Sequence, residues 1–174
     1  ADGVSGDADD VRVTTDTGET ISGRRLILSY GVVDEFPALA GFEECWGKTV
    51  IHCPFCHGYE SGPRWGLLYS SPLSLQATAL YRDWTDDISL ILDGNTIPDE
   101  ERHKTEKRGI KIFDGKLNEI AHEGGKLRSV TLEGGTEIGL DALFAHPRNR
   151  PSADLHEQLG LETRETPTGI MVVT

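Results

Sequence analysis

Short apolar segments alternate with helix-like segments between residues 65 and 113, and this alternation constrains the fold more than any other feature of the sequence. Residues 66–70, 88–92 and 110–113 are compact and apolar, as buried strands are. The two stretches between them begin with proline, and the second continues with three acidic residues, which is typical of helix starts. Strands joined by helices pair in parallel, so we predict a β-α-β-α-β unit with a parallel sheet.

The first of these two helices has a recognisable apolar face. Leu73, Ala77, Leu80 and Tyr81 recur at helical spacing and fall on one side of it. We expect this side to be the one that packs.

The segment after this unit has a different pattern. Glycine pairs at 124–125 and 134–135 separate short alternating stretches, which is typical of a β-meander, and residues 142–145 form one more apolar strand candidate. We therefore predict the α/β class. The expected architecture is a Rossmann-like three-layer domain with a parallel sheet, helices and an added β-meander.

Both ends of the chain carry strand-forming or helix-forming patterns of their own. Residues 11–15 alternate at period two, and residues 24–30 end in an apolar run that we predict to be a buried strand. Ser152 is placed to cap a short helix that Gly160 ends. We expect three parts: a flanking segment at 1–46, the Rossmann-like domain at 47–147 and a return segment at 148–174.

The chain is acidic, with a formal net charge of −12 in 174 residues. Nucleic acid and anionic membranes repel such a surface unless basic residues form a patch, and the sequence has no Lys/Arg cluster of that kind. Its apolar runs are too short to span a bilayer, and its first residues lack the pattern of a secretory signal. We expect a cytoplasmic protein with no nucleic-acid or membrane partner.

Two of the three cysteines, Cys53 and Cys56, lie where an apolar strand is predicted to pass into a short helix. A Cys-x-x-Cys pair can close a disulfide within one turn, and the N–H groups at a helix start stabilise a thiolate. We therefore predict a redox-active, catalytic pair. His57 follows it directly and titrates near neutrality, so it is placed to move the proton that thiol chemistry needs. We expect Cys45 to be a small packed residue.

Three other uses of such a pair remain open from the residues alone. A structural zinc needs four nitrogen or sulfur ligands; the pair and its flanking His52 and His57 supply part of that set, but the sequence holds no second Cys pair. A metal-stabilised binding module of this kind is the alternative to an enzyme. The sequence Cys-x-x-Cys-His also matches haem attachment, with Met171 as an axial partner. Cys-Pro-Phe-Cys is similar to the glutaredoxin site, although that fold has its pair near the N-terminus.

Two stretches of the sequence carry a family resemblance. Residues 47–60 run through the Cys pair, and residues 26–37 approach it with the segment Gly-Val-Val-Asp-Glu-Phe-Pro. Both are similar to stretches of the pyridine nucleotide-disulfide oxidoreductases, in the thioredoxin-reductase-like branch. The resemblance implies an FAD/NAD(P)-binding fold. It further implies that this chain is an excised fragment, the nucleotide-type domain with flanking pieces of the FAD domain, so FAD would bind only in the full-length protein.

The same resemblance implies roles for the cysteines. Cys56 would lie nearer the flavin, and Cys53 would attack a disulfide or dithiol of a small molecule or a protein. The full-length protein would be a homodimer, and the isolated fragment is expected to be inactive.

The nucleotide site departs from the family pattern. A dinucleotide site needs Gly-x-Gly-x-x-Gly or Ala after the first strand, whereas this chain has Gly66 within the strand and Ser70 and Ser71 at the turn. Pro72 also removes one N–H donor from that turn. Asp93, after the second strand, suits a ribose hydroxyl of NAD but would repel the 2′-phosphate of NADP. Gly66, Ser70, Ser71 and Asp93 are the candidate cofactor contacts. We expect weak or absent NAD(P)H binding.

The expected function is thiol–disulfide exchange by an FAD-dependent, thioredoxin-reductase-like oxidoreductase. Without a nicotinamide, two routes remain for its electrons. The protein would oxidise dithiols and pass electrons to oxygen, as the similar dithiol oxidases of epidithio-metabolite pathways do, or it would take electrons from another carrier.

Overall fold

The computed structural model describes residues 1–7 and 9–173. Contacts between residues divide the chain into two compact units. We call Phe36–Pro147 the core unit, and Ala1–Glu35 with Arg148–Thr174 the flanking unit. Both cysteines of the Cys-x-x-Cys pair belong to the core unit.

The core unit is built on a five-stranded sheet in which all neighbouring strands are parallel. Two nine-residue helices connect its three consecutive strands, which confirms the predicted β-α-β-α-β unit. The elements are β5 (Val50–Ile51), β6 (Arg64–Leu68), α3 (Leu73–Tyr81), β7 (Asp87–Ile91), α4 (Asp99–Lys107), β8 (Lys111–Phe113) and β12 (Ala142–Phe144), and the strand order is β5-β12-β6-β7-β8.

An antiparallel three-stranded sheet follows this unit, as the glycine pairs predict. Two four-residue helices lie earlier in the core unit, one before the Cys pair and one that contains Cys56. These elements are α1 (Phe42–Cys45), α2 (Pro54–His57), β9 (Leu117–Glu123), β10 (Lys126–Leu132) and β11 (Glu137–Gly139).

Two hydrophobic clusters form the core of this unit. One includes Phe42 and Cys45 of α1, Val130 of the meander and Leu143 of β12. The other lies around Trp65 and includes residues of β5, β6, α3, β7 and β12. The complete burial of Cys45 confirms its prediction as a packed residue.

The packed face of α3 differs from the predicted one. Tyr81 is buried as expected, but Leu73 and Leu80 are 62% and 41% exposed. Ser74 and Thr78 are buried instead, because each hydroxyl bonds to a nearby backbone group: Ser74 Oγ accepts from the Ser70 N–H, and Thr78 donates to a carbonyl within the helix. Satisfied hydroxyls can be buried at little cost, so helical spacing of apolar residues alone misjudged this face.

The flanking unit contains two sheets and one short helix. Residues 24–30, predicted as a buried strand, form no helix or strand, and Ile27 within them is 88% exposed. No strand of the described residues pairs with this segment, which instead borders an open cavity of about 1130 Å³. The elements are β1 (Gly3–Gly6), β2 (Val11–Thr14), β3 (Thr20–Gly23), β4 (Val32–Glu35), β13 (Arg148–Pro151), α5 (Leu155–Gln158), β14 (Thr163–Thr166) and β15 (Gly169–Val172).

Across residues 1–7 and 9–173, no helix combines the length and the apolar character that crossing a bilayer requires.

Candidate active site

The cysteine turn, which we define as residues 53–58, follows β5 and contains α2. Cys53 is extended, with φ −136° and ψ 125°, and Pro54 occupies the first helical position, where its missing N–H costs nothing. The N–H groups of Cys56 and His57 both donate to the Cys53 carbonyl at 3.3 Å, and the Gly58 N–H closes the turn on the Pro54 carbonyl at 2.6 Å. This single helical turn brings the two thiols into hydrogen-bonding contact.

The turn separates the ionisation of the two thiols. Burial acts to raise the pKa of Cys53, but hydrogen bonds from the N–H groups of Cys56 and Phe55 and from the Cys56 thiol outweigh it, so the pKa lies below the usual value. The hydrogen bond to Cys53 and the charge there raise the pKa of Cys56. Cys53 therefore ionises first and Cys56 stays protonated as its donor.

All three cysteines are free thiols in the structure, but they differ in accessibility. Cys56 is exposed and Cys53 is half-buried, so both are within reach of a partner molecule. Cys45 is enclosed, and burial raises the pKa of its thiol. Of the three cysteines, only Cys53 thus combines access with a lowered pKa.

An aromatic cluster supports the cysteine turn from below. The Trp65 ring lies 6.1 Å from the ring of Trp84, and Trp84 meets Phe55 of the turn edge-on at 6.0 Å. A Cβ added at Gly58 would lie 2.9 Å from Trp84 and 3.0 Å from Trp65, so the turn packs closely on both indoles. Phe144 and Tyr81 complete the cluster. No local pattern in the sequence indicated that Trp65 and Trp84 pack against the cysteine turn.

His57, the predicted proton carrier, is exposed. Its carbonyl accepts a hydrogen bond from Ser61 at 2.8 Å, and its ring has no partner among the described residues. Two other histidines meet at the ends of neighbouring parallel strands: the rings of His52 and His146 are 4.7 Å apart. Burial, and then the charge of His52, lower the pKa of His146.

The serine turn, residues 69–74 after β6, holds two of the candidate cofactor contacts. Two of its backbone N–H groups are already engaged: Ser74 Oγ accepts from the N–H of Ser70 at 3.1 Å and from the N–H of Ser71 at 3.4 Å. Gly66 lies inside β6, where an added Cβ would come within 2.6 Å of Leu140. Its lack of a side chain therefore serves strand packing.

Asp93, the candidate ribose contact, has a left-handed backbone with φ 50°. Its carboxylate accepts a hydrogen bond from the Leu117 N–H at 2.8 Å. This bond ties the turn after β7 to the start of β9, so one carboxylate oxygen has a structural partner.

Within residues 1–7 and 9–173, no group of three or more His, Cys, Asp and Glu side chains is arranged to hold a metal ion.

Known proteins share both the sequence and the fold of this chain. A thioredoxin reductase of Leptosphaeria maculans, sirT, is 30% identical over 176 residues, which cover 92% of this chain and 54% of that protein. A thioredoxin reductase of Claviceps purpurea, tcpT, is 31% identical over 175 residues, covering 90% and 51%. The crystal structure of an oxidoreductase from Agrobacterium tumefaciens superimposes with a TM-score of 0.85 at 33% identity, covering 99% of this chain and 57% of that one. No protein-family model matches the chain.

These relatives agree with the resemblance carried by residues 47–60. The predicted α/β, FAD/NAD(P)-binding type of fold is confirmed. The chain spans about half the length of the curated relatives that it matches. For the part of those relatives that it spans, the chain belongs to the thioredoxin-reductase-like family of oxidoreductases.

Proposed function

We propose that Cys53 and Cys56 form a reversible disulfide that performs thiol–disulfide exchange in an FAD-dependent, thioredoxin-reductase-like oxidoreductase. The observation that carries this proposal is the cysteine turn. The N–H groups of Cys56 and His57 close this turn on the Cys53 carbonyl, and hydrogen bonding by the turn's N–H groups and the Cys56 thiol lowers the pKa of Cys53. A thiolate next to a protonated resolving thiol is what exchange requires.

The exchange proceeds in two balanced steps. The Cys53 thiolate attacks one sulfur of a substrate disulfide, forming a mixed disulfide, and the second substrate sulfur leaves as a thiolate that takes up a proton. Cys56 then loses its proton and attacks the Cys53 sulfur, which closes the protein disulfide and releases the first substrate sulfur as a thiolate. The substrate gains two electrons and the pair loses two; run in reverse, the same steps oxidise a dithiol.

We propose that FAD binds to the full-length protein, and we identify no FAD site in this chain. Bound FAD would supply the acceptance or donation of the electron pair at the disulfide. The sequence contains no Gly-x-Gly stretch, so we assign none of its residues to the flavin. The proposed full-length form is a homodimer, and its substrate is a dithiol or disulfide of a small molecule or protein.

We further propose that the serine turn does not bind a nicotinamide cofactor, so that NAD(P)H does not supply the electrons. Ser74 occupies the N–H groups of Ser70 and Ser71 that a pyrophosphate would need, and Pro72 has none to offer. This arrangement disfavours NADPH-driven reduction and leaves two routes, oxidation of dithiols with oxygen as the final acceptor or electron supply from another carrier.

A glutathione redox titration tests the proposed exchange. The full chain is equilibrated in buffers of increasing oxidised glutathione, acid-quenched and alkylated, and its free thiols are counted by mass. We expect Cys53 and Cys56 to disappear together while Cys45 stays reduced. Cys45→Ala should keep this behaviour, since it leaves the pair intact, and Cys53→Ser or Cys56→Ser should abolish it. Three free thiols in every buffer, or stoichiometric zinc released with the thiols, would refute the proposal.

A further inference from the structure

A cavity of about 370 Å³ in the core unit borders the cysteine turn. It is lined by His57, which directly follows Cys56, and by two lysines, Lys48 and Lys126. We call it the lysine cavity. Because His57 belongs both to the cavity and to the cysteine turn, a molecule bound in the cavity lies beside the reactive pair.

Thr49 connects the two segments that carry the lysines. Its hydroxyl donates to the Gly125 carbonyl at 2.7 Å and accepts from the Leu127 N–H at 3.0 Å. Lys48 directly precedes Thr49, and Lys126 lies between Gly125 and Leu127. The same two hydrogen bonds therefore hold both lysines at one cavity, although they are far apart in the sequence.

Neither lysine is neutralised by a carboxylate. Lys48 Nζ lies against Gly125, where an added Cβ would come within 2.7 Å of it, and it donates to the Glu44 carbonyl at 3.0 Å. A neutral carbonyl occupies one of the three N–H groups of an ammonium and leaves its charge in place. The Lys126 ammonium has no hydrogen bond or salt bridge within residues 1–7 and 9–173. Both ammonium groups can thus donate to an anion.

Two carboxylates also line the lysine cavity. Asp141 is already paired with Arg64, whose Nη2 donates to Oδ1 at 2.6 Å and whose Nε donates to Oδ2 at 3.1 Å, and this pairing holds the pKa of Asp141 below its usual value. Glu60 is exposed, as the two lysines are, so its single charge offsets one of theirs. With His57 neutral, the cavity keeps one net positive charge in a chain whose formal net charge is −12.

We infer that the lysine cavity binds a carboxylate of the substrate between Lys48 and Lys126 while the substrate sulfurs react with the Cys pair. The inference rests on the proposed function and deepens it, because it names the substrate class: a small disulfide or dithiol that carries a carboxylate. This carboxylate must lie several bonds from the sulfur, since Lys48 precedes β5 and Cys53 follows it. The binding adds no covalent step to the exchange.

The test compares two disulfides that have the same reacting sulfurs. Glutathione disulfide carries a free glycine carboxylate on each half, and the disulfide of glutathione ethyl ester has this charge removed. Each is mixed with the reduced full chain, and closure of the Cys53–Cys56 disulfide is followed by quenching, alkylation and mass spectrometry. We expect the ratio of the acid rate to the ester rate to fall about threefold in Lys126→Gln and in Lys48→Gln, because the carboxylate loses one ammonium partner.

Lys116→Gln is the matched control. Lys116 is exposed and lies outside the cavity, and its substitution removes the same charge from the chain. Its ratio should equal that of the unmodified chain. Because the ratio divides out any general change in thiol reactivity, a damaged cysteine turn cannot imitate the expected result. Equal ratios in all four chains would overturn the inference. An equal fall in all three variants would also overturn it, since net charge and not the cavity would then set the preference.

The failures of this inference and of the proposed function have different signatures. If neither probe closes the disulfide between Cys53 and Cys56, the proposed function fails. If both probes close it and the ratio is the same in Lys126→Gln and in the unmodified chain, the carboxylate site alone is wrong.

Discussion

The core unit contains two turns that follow strands of the same parallel sheet, and they use their backbone N–H groups in opposite ways. In the cysteine turn, the N–H groups of Phe55 and Cys56 lower the pKa of the Cys53 thiol. In the serine turn, the N–H groups of Ser70 and Ser71 point at the hydroxyl of Ser74. The cysteine turn thus uses its N–H groups to favour ionisation of a reactive thiol. The serine turn uses them to bond to one of its own side chains.

This difference bears on which of the two turns is available to bind or react with a partner molecule. A parallel sheet offers its loops as ligand sites, and the glycine-rich turn of a dinucleotide domain leaves N–H groups free for phosphate. Here the N–H groups of Ser70 and Ser71 are satisfied internally, while the aromatic cluster packs against Phe55 and Gly58 of the cysteine turn. The fold therefore leaves the proposed redox pair accessible, while the N–H groups of Ser70 and Ser71 bond to Ser74.

Of the substitutions that test this comparison, one that adds a methyl group under the cysteine turn should have the largest effect on stability. In Gly58→Ala the new methyl would lie 2.5 Å from the Pro54 carbonyl oxygen and 2.9 Å from Trp84. We expect a loss of about 3 kcal/mol in the free energy of unfolding, measured by urea denaturation, because neither backbone nor packed indole can yield cheaply. Gly23→Ala is the control, since its methyl would meet one carbonyl oxygen at an ordinary 3.5 Å. Equal stabilities for the two variants would show that the turn is loosely packed.

Opening the serine turn should cost less. Ser74→Ala removes the acceptor of two backbone N–H groups and leaves them to water or unpaired, so we expect a loss of about 1 kcal/mol in the same denaturation experiment. Ser71→Ala removes, from a half-buried serine, a hydroxyl that has no hydrogen-bond partner among the described residues, and should change stability by less than about 0.5 kcal/mol. If Ser74→Ala were as stable as Ser71→Ala, the hydroxyl of Ser74 would not be what closes the turn.

The smallest expected signal is that of nicotinamide binding. Titration of the full chain with NADH or NADPH in a calorimeter should give no saturable heat, because the N–H groups of Ser70 and Ser71 are engaged by Ser74 and Pro72 has none. Asp93 would also repel a 2′-phosphate. A dissociation constant in the micromolar range would contradict this and restore a nicotinamide route for the electrons.

The elements of the core unit followed from local sequence signals. Proline marks the starts of α3 and α4, acidic residues follow it in α4, and compact apolar strands flank both helices. These signals suffice for the β-α-β-α-β unit because they act over a few neighbouring residues. The cysteine turn was likewise predictable from Cys53, Pro54 and Cys56.

What the sequence could not show depends on contacts between distant segments or on satisfied polar groups. Trp84 lies 28 residues after Cys56 in the sequence, and only tertiary packing brings it against Phe55 of the cysteine turn. The buried face of α3 was misjudged because the hydrogen bonds of Ser74 and Thr78 are invisible to a hydrophobic pattern. Residues 24–30 look like a strand, but a strand also needs a partner, which the described residues do not supply.

The most direct test of the central claim compares the ionisation of the two thiols in one sample. Alkylation rates at Cys53 and Cys56 are measured site by site across pH in the unmodified chain. We predict that Cys53, although less exposed, becomes reactive at lower pH and reacts faster at pH 7, because its pKa is lowered and that of Cys56 is raised. Faster modification of Cys56 at every pH would mean that exposure rather than the turn controls reactivity, and would contradict the account.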